Sequence, residues 1–338
     1  MSILLRSTAR ATIAVMLLSA TAVSAVAQDV LPSWNDGANK DSIVEFVTAV
    51  TTEGGPDYVA PGDRIATFDN DGTLWGEQPM YVQLAFALDR VKTMAPDHPE
   101  WKDTEPFKSV LAGDMKGVAA SGKKGLLAII AATHSGMSTA EFEKIATDWM
   151  ATARHPKTGK AYTEMVYQPM LELIDYLKAN KFEVFIVSGG GIEFMRPWTE
   201  KIYGIPTQNV VGSSIKTKYV VKDGTPVIMR EAAFDFIDDK EGKPLGINSH
   251  IGRRPIASFG NSGGDFQMLQ WAAAGDGRSL KMLVFHDDAD REYAYGPADG
   301  LPDSKFGTFP QSLMDDVKGR DWNVISMKKD WKQIYPSE

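Results

Sequence analysis

The stretch "RIATFDNDGTLW", Arg64 to Trp75, contains an apolar run that ends in two aspartates separated by one residue. The run Ile65 to Phe68 is short and is followed by turn-forming residues, which predicts a buried β-strand. Asp69 and Asp71 then stand at the carboxyl end of that strand, where like charges repel and burial disfavours ionisation. Because this placement is costly, we expect a cation to hold the two carboxylates and the pair to carry chemistry.

Further strands along the chain also end in glycine and polar residues, and helices separate them. The segments "FEVFIVSGGG", "PIASFGNSGGD" and "KMLVFHDD" are of this kind. Their alternation with helices predicts an α/β fold with a Rossmann-like parallel sheet. The segment "VVKDGTPV", which turns at Asp223-Gly224, predicts a small β-hairpin insert. Sheets of this type bind ligands at the carboxyl ends of their strands, so we expect the site there.

The N-terminal segment differs from the rest of the chain. Arg6 and Arg10 precede an apolar stretch, and the small-residue triplet Ala25-Val26-Ala27 follows it. This pattern predicts a signal peptide over residues 1–27, cleaved after Ala27, and a secreted, periplasmic protein. A membrane anchor is the alternative, but the apolar run is shorter than the ~20 residues that a spanning helix needs.

The remaining chain divides into two predicted regions. Residues 79–159 have a helical pattern without strand-like alternation, and they predict a helical cap domain inserted after the first motif. Residues 28–78 and 160–338 then form the α/β core.

Composition limits the partners and the metal chemistry. The chain has 338 residues, 36 basic and 44 acidic side chains and no cysteine. The formal net charge of −8, without a basic run, argues against nucleic acid as a partner. No later segment predicts a membrane span in the mature chain. Any metal must use oxygen ligands or the five histidines, and the oligomeric state is not predicted.

A phosphate ester bound with a divalent cation accounts for the polar residues at the strand ends. Mg²⁺ prefers hard oxygen ligands and offsets repulsion between aspartates. Asp69 is placed to attack phosphorus, and Asp71, on the same side of the extended chain, to protonate the leaving group. Ser188 and the backbone N–H groups of the turn at Gly189 suit a phosphate oxygen. Lys243 supplies positive charge for the transition state.

Four motifs in this order, "FDNDGTL", "IVSGG", Lys243 and "GNSGGD", resemble those of haloacid dehalogenase-superfamily phosphohydrolases. The resemblance implies that the backbone carbonyl of Asp71 also binds Mg²⁺. It further implies that Thr73 and Ser188 bind the phosphate and that Lys243, for which Lys240 is a rival, pairs with the nucleophile. The helical insert and the hairpin resemble those of the phosphoserine phosphatase-like branch.

The fourth motif departs from the family pattern. Asn261 stands where the family usually has aspartate. An amide oxygen still ligates Mg²⁺ with less charge, so we expect Asn261→Asp to preserve or tighten metal binding. Asp265 then either binds the metal directly or holds a coordinated water. The predicted metal ligands are Asp69, Asp71, Asn261 and Asp265, with the choice between the last two open.

The predicted function is a Mg²⁺-dependent phosphomonoesterase that acts on a small phosphorylated metabolite. A phosphotransferase, a broad-specificity acid phosphatase, a phosphocholine phosphatase and a catalytically silent phosphate-ligand binding protein are the alternatives. A dehalogenase does not need a general acid two residues after the nucleophile, so Asp71 argues against that activity. Trp75 and Glu77 are possible substrate contacts, with packing of a flap as the alternative. His286 is expected at a solvated edge, with lining of the cleft as the alternative, and the loop Gly296 to Pro310 at the surface.

Overall fold

The computed structural model of the protein describes residues 30–336, so the predicted signal peptide lies outside the described residues. The strands are β1 (Ile65–Phe68), β2 (Glu183–Gly191), β3 (Val210–Lys222), β4 (Thr225–Phe236), β5 (Ala257–Gly260), β6 (Leu280–Phe285) and β7 (Asn323–Ser326). The helices are α1 (Ala38–Thr51), α2 (Val82–Met94), α3 (Phe107–Leu111), α4 (Met115–Ala120), α5 (Gly122–His134), α6 (Thr139–Thr152), α7 (Gln168–Ala179), α8 (Ile192–Tyr203), α9 (Gly242–His250), α10 (Phe266–Ala273), α11 (Gln311–Gly319) and α12 (Met327–Asp330).

The strands form one sheet in the order β4-β3-β2-β1-β5-β6-β7. Neighbouring strands are parallel except β3 and β4, which are antiparallel. The first strand lies at the centre, between β2 and β5, so the strands that precede the first, second and fourth motifs are adjacent. The predicted α/β fold with a parallel sheet is confirmed.

Helices cover both faces of the sheet. Alternate residues of a strand point to opposite faces, so the apolar residues of one strand pack on helices of both layers. Ile186 belongs to a hydrophobic cluster that includes residues of α1, α7 and α8. The next residue, Val187, belongs to a second cluster with residues of α9, α10 and α11. The same alternation occurs at Val210 and Val211. A continuous apolar strand is therefore the expected pattern at the centre of this sheet.

The predicted hairpin forms β3 and β4. Asp223 and Gly224 connect the strands with φ of 51° and 79°, and Lys222 pairs with Thr225. Two consecutive positive φ angles are typical of the two-residue hairpin turn that Asp-Gly favours. The hairpin is therefore confirmed, with its turn at the predicted dipeptide.

Helices α2 to α6 occupy the region between β1 and β2, and no strand interrupts them among the described residues. They contain a hydrophobic cluster of their own, made of Ala87, Leu88, Val91, Trp101, Phe107, Val110 and Ile129. The chain from Leu31 onward groups as one compact unit, so the separation of residues 79–159 as a cap domain stays a prediction. Within residues 30–336, no helix has the length and apolar character required to cross a bilayer.

We expect Phe259→Ala to lower the free energy of unfolding by about 3–5 kcal/mol. Phe259 is fully buried in β5 and stacks on Phe68 of β1, with ring centroids 4.4 Å apart. Urea unfolding measures the effect, with Tyr219→Ala as the control because that side chain is 67% exposed. A loss below about 1 kcal/mol for Phe259→Ala would place the centre of the core elsewhere.

Candidate active site

Lys243, in the first turn of α9, joins three parts of the sheet. Its Nζ lies 2.8 Å from Oδ1 of Asp69 and 2.6 Å from Oδ1 of Asp265, and it donates a hydrogen bond to the carbonyl of Val187 at 2.8 Å. The side chain is 2% exposed. Burial alone lowers the pKa of Lys243, but Asp265 and Asp69 raise it above its ordinary value. The lysine is therefore a fixed buried cation, and Lys240, its rival, is exposed.

The two aspartates of the first motif lie in different electrostatic surroundings. Burial, together with the carboxylate of Asp265, raises the pKa of Asp69 to about 8 despite the opposing effect of Lys243. Burial raises the pKa of Asp71 to about 6, and the indole N–H of Trp75 opposes this rise through a 2.7 Å bond to Oδ1 of Asp71. The two carboxyls of the pair therefore differ in which neighbours oppose the effect of burial: Lys243 for Asp69 and Trp75 for Asp71.

The turn after β1 requires glycine at position 72. Gly72 has φ of 73°, and a Cβ there would lie 2.1 Å from Nδ2 of Asn261 and 2.4 Å from Oε1 of Glu77. A side chain would therefore be strained and would also collide with two polar groups. The Gly72 carbonyl accepts a hydrogen bond from Nε2 of His286 at 2.8 Å. The fully buried Thr73 follows, and its hydroxyl donates to Oδ1 of Asn261 at 3.2 Å.

Asp265 is fully buried, and protein donors occupy both of its carboxylate oxygens. Oδ1 contacts Lys243, and Oδ2 accepts the backbone N–H groups of Asn261 at 2.9 Å and Ser262 at 3.0 Å. This carboxylate anchors the lysine and shapes the loop after β5. The side chain of Asn261 instead faces the turn of the first motif, where it contacts Thr73 and Glu77.

The second motif lies at the end of β2, next to β1 in the sheet. Ser188 is 1% exposed, and its Oγ accepts the N–H of Gly190 at 3.1 Å. Gly189 is exposed, and its carbonyl accepts from Ser213. Gly191 donates its N–H to Oε1 of Gln83 at 2.7 Å. The glycine turn is therefore tied to the start of α2.

A chain of hydrogen bonds continues from Gln83 into α5. Nε2 of Gln83 lies 3.1 Å from Nε2 of His134, and Nδ1 of His134 lies 2.7 Å from the hydroxyl of Thr133. The Gln83 amide donates, so Nε2 of the imidazole accepts and Nδ1 carries the proton. Burial, with the nearby charges of Arg230 and Arg90, lowers the pKa of His134 to about 3. The ring is therefore neutral.

The structure places several side chains differently from the sequence-based expectations. Trp75 and Glu77 are each 1% exposed, and their contact with a substrate stays a prediction. Trp75 stacks on Trp198 with centroids 4.6 Å apart. His286 is 2% exposed, so the expected solvated edge is wrong. The loop that contains Gly307 is also more than surface structure, since Gly307 packs on the Glu77 carboxylate.

Sequence reasoning missed Gln83, Tyr295 and the true surroundings of Glu77. The Tyr295 hydroxyl donates to Oε1 of Glu77 at 2.7 Å. Burial raises the pKa of Glu77 well above its ordinary value, against the lowering effect of the Tyr295 bond. Glu77 could be seen in the sequence as an acidic residue close to the first motif. Its partners could not be identified, because they lie far along the chain.

The donor set suits Mg²⁺ better than a metal held by many protein ligands. The carboxyls of Asp69, Asp71, Glu77 and Asp265 interact with one another, and Lys243 is the cation that pairs with two of them. Such a surplus of buried acid groups favours a further cation. Among residues 30–336, no three acidic or histidine side chains are grouped as a metal site. Mg²⁺ fits because it takes few protein ligands and keeps water and phosphate oxygens.

We expect Lys243→Met to lower the free energy of unfolding by about 3–5 kcal/mol at pH 8 in EDTA, because two buried carboxyls lose their cation. Without the lysine, its lowering effect on the pKa of Asp69 is lost, and burial favours the protonated form of that acid. A raised acid pKa makes stability fall as pH rises, so the cost is smaller at pH 5 than at pH 8. Urea unfolding at both pH values measures this. Lys240→Met is the control, and an equal cost at both pH values would contradict the ion-pair assignment.

Residues 66–270, more than half of the chain, match the family described as haloacid dehalogenase-like hydrolase. No curated protein matches the chain. Among solved structures, it is similar to a conserved protein of unknown function from Anaerococcus prevotii DSM 20548, at 14% identity over 85% of this chain and 91% of that chain, with a TM-score of 0.46. It is also similar to a phosphoserine phosphohydrolase-like protein from Francisella tularensis subsp. tularensis SCHU S4, at 14% identity over 66% of this chain and 88% of that chain, with a TM-score of 0.36. The sequence match, together with the ordered motifs at the sheet edge, shows that the chain belongs to the haloacid dehalogenase-like hydrolase family.

Proposed function

We propose that the protein is a Mg²⁺-dependent phosphomonoesterase that works through an aspartyl-phosphate intermediate. The observation that carries the proposal is the buried contact of Lys243 with both Asp69 and Asp265 at the carboxyl end of the sheet. A cation held against a candidate nucleophile suits a reaction that transfers a negatively charged group. The substrate class is a small phosphorylated metabolite.

The proposed reaction has two steps. In the ionised form, which Lys243 favours, a carboxylate oxygen of Asp69 attacks phosphorus. The bond from phosphorus to the ester oxygen breaks, and the Asp71 carboxyl gives its proton to the leaving alkoxide. The Asp71 carboxylate then takes a proton from a water molecule, whose oxygen attacks phosphorus. The bond to Asp69 breaks, and inorganic phosphate leaves. A pKa of about 6 for Asp71 supports both roles, since the group exchanges protons near neutral pH.

The residues around the aspartates suit the remaining tasks. Thr73, Ser188 and the backbone N–H of Gly189 are proposed to bind phosphate oxygens. Mg²⁺, when bound, would neutralise charge on the phosphate and on the aspartates. Its proposed protein ligands are the Asp69 carboxylate, the backbone carbonyl of Asp71 and Oδ1 of Asn261. Asp265 would support the site by holding Lys243, because both of its oxygens already have protein donors.

A phosphotransferase is the second candidate. Its first step would be the same, and an acceptor alcohol would replace water in the second step. A catalytically silent phosphate-binding protein is disfavoured because Asp69 and Asp71 are both retained beside the buried Lys243. A panel of phosphoserine, phosphocholine and sugar phosphates, assayed with and without acceptor alcohols, separates hydrolysis from transfer and identifies the substrate.

We expect Asp69→Asn to lower the hydrolysis of p-nitrophenyl phosphate with Mg²⁺ by about 10⁴-fold or more, because the amide cannot form the acyl phosphate. Release of p-nitrophenol measures the rate, and EDTA should abolish the wild-type rate. The control is Asp63→Asn, since Asp63 is exposed and pairs with Arg253 on the surface.

Three results would count against this function. A wild-type rate in the Asp69→Asn variant would exclude the covalent step. Full activity in EDTA would exclude the proposed metal. Absence of turnover across the whole phosphate ester panel would leave the silent binding protein as the better description.

We also propose export to the periplasm with cleavage after Ala27. Intact mass of the protein from a periplasmic extract is expected to match a chain that begins at Gln28. A mass that includes residues 1–27 would contradict the cleavage.

A further inference from the structure

The glycine turn of the second motif is held by a side chain from the helical region. The register of β2 on β3 shifts between Ser188 and Gly191, so Gly189 and Gly190 form a bulge. The N–H of Gly190 donates to Oγ of Ser188 at 3.1 Å, so this hydroxyl accepts there and keeps its own hydrogen to donate. The N–H of Gly191 donates to Oε1 of Gln83, in the first turn of α2, at 2.7 Å. The bulge that carries the proposed phosphate donors is therefore fixed at one end by a glutamine.

We propose that Gln83 is a positioning residue that holds the glycine turn in its phosphate-binding conformation, and that the tautomer of His134 sets the orientation of the Gln83 amide. This inference rests on the phosphate site of the proposed function. Gln83 contacts Gly191 on one side and His134 on the other, so its effect on phosphate binding acts through the turn.

The direction of each hydrogen bond in this chain follows from one helix carbonyl. The Thr133 hydroxyl donates to the carbonyl of Ile129 at 2.7 Å, so its oxygen accepts from Nδ1–H of His134, 2.7 Å away. Nε2 of the neutral ring is then an acceptor, and it takes an N–H of Gln83 at 3.1 Å. The oxygen of the Gln83 amide is thereby turned to Gly191, whose N–H can only donate. Both ends of the chain require the same orientation of the amide.

The surroundings of His134 restrict the ring to a choice between two tautomers. Thr133 and His134 are 0% and 2% exposed, so water has no access to replace a lost partner. Burial and the charges of Arg230 and Arg90 disfavour a positive ring. The ring therefore carries one proton, on Nδ1 or on Nε2, and the oxygen of Thr133 selects Nδ1.

The hairpin links His134 to the other side of the glycine turn. Nε of Arg230, in β4, donates to the His134 carbonyl at 2.7 Å, and its guanidinium pairs with the Glu193 carboxylate. Glu193 lies in the first turn of α8, directly beyond the turn. A Cβ on Gly191 would lie 2.6 Å from Nε2 of Gln83, so the absence of a side chain there permits the close approach of the glutamine.

The first test removes both hydrogen bonds of Gln83 and measures the binding of inorganic phosphate with Mg²⁺ by isothermal titration calorimetry. We expect Q83M, which keeps the length of the side chain, to weaken phosphate binding by about 10-fold. Q311M is the matched control. Gln311 also accepts a backbone N–H through Oε1, from Asp299 at 2.9 Å, but it is exposed in α11. Phosphate affinity in Q311M should match that of wild type.

The second test changes the tautomer through T133V and leaves Gln83 in place. Valine offers no acceptor to Nδ1–H, so we expect the proton to move to Nε2. Gln83 then turns its oxygen to His134 and its N–H groups to Gly191, which displaces the glycine turn. We expect phosphate binding to weaken by about 3-fold or more, although Thr133 does not contact the turn. ¹⁵N NMR of labelled histidine measures the tautomer, and H134Q identifies the His134 signals by their loss.

Two further variants control for the loss of the threonine hydroxyl. T133S keeps the acceptor, so it should keep the Nδ1 tautomer and wild-type phosphate affinity. Thr93 also donates to the carbonyl four residues before it, that of Asp89 at 2.9 Å, on the exposed side of α2, so T93V should bind phosphate as wild type does. The Q83M/T133V variant should bind phosphate no more weakly than Q83M, because the effect of Thr133 passes through Gln83.

The outcomes separate this inference from the proposed function. Wild-type phosphate affinity in Q83M or in T133V, an unchanged tautomer in T133V, or multiplication of the two single effects in the double variant would overturn the role of Gln83 and leave the phosphatase proposal standing. If Q83M does not fold, T133V compared with T133S decides. If neither Q83M nor T133V folds, the chain is a folding element and the proposal is overturned. If the wild-type protein binds no phosphate, the proposed phosphate site fails as well, and turnover in D69N still reports on the covalent step.

Discussion

A lysine without contact to water is tolerable only beside negative charge, and this constraint organises the structure around Lys243. One carboxylate would neutralise the cation, but Asp69 and Asp265 both contact it. When both acids are ionised, the group carries net negative charge in a buried place, which suits a site that binds a further cation. To meet the lysine, the ends of β1 and β2 and the loop after β5 must converge. The central position of β1 in the sheet provides that convergence.

The parts of the fold that follow from local patterns could be predicted from the sequence. The strand Ile65–Phe68 has the predicted bounds because an apolar run that ends in turn residues is itself the signal. The hairpin turn lies at Asp223-Gly224 because that dipeptide favours positive φ at both positions. The meeting of Asp69 with Lys243 and Asp265 was also within reach, since each follows or precedes a strand of one parallel sheet.

The buried polar network under the site was not predictable in the same way. Glu77 contacts Asn261, 184 residues away, and Tyr295, 218 residues away. The carboxylate of Glu77 would be more stable in solvent than buried unless donors from distant segments bind it. No local sequence pattern indicates such donors. His286 was assigned to a solvated edge for the same reason, because its acceptor is the carbonyl of Gly72. The departure at Asn261 could be seen in the sequence, but not its buried hydrogen bond to Glu77.

The hydrogen bonds that join the glycine turn to the helical region add no charge to the site. Gly191, Gln83 and His134 are joined by hydrogen bonds between neutral groups. With a pKa of about 3, His134 does not gain charge as the solution becomes mildly acidic. A positive imidazolium there would compete with Lys243 for the phosphate and the aspartates. The helices can therefore hold the glycine turn through His134 without adding charge to the site.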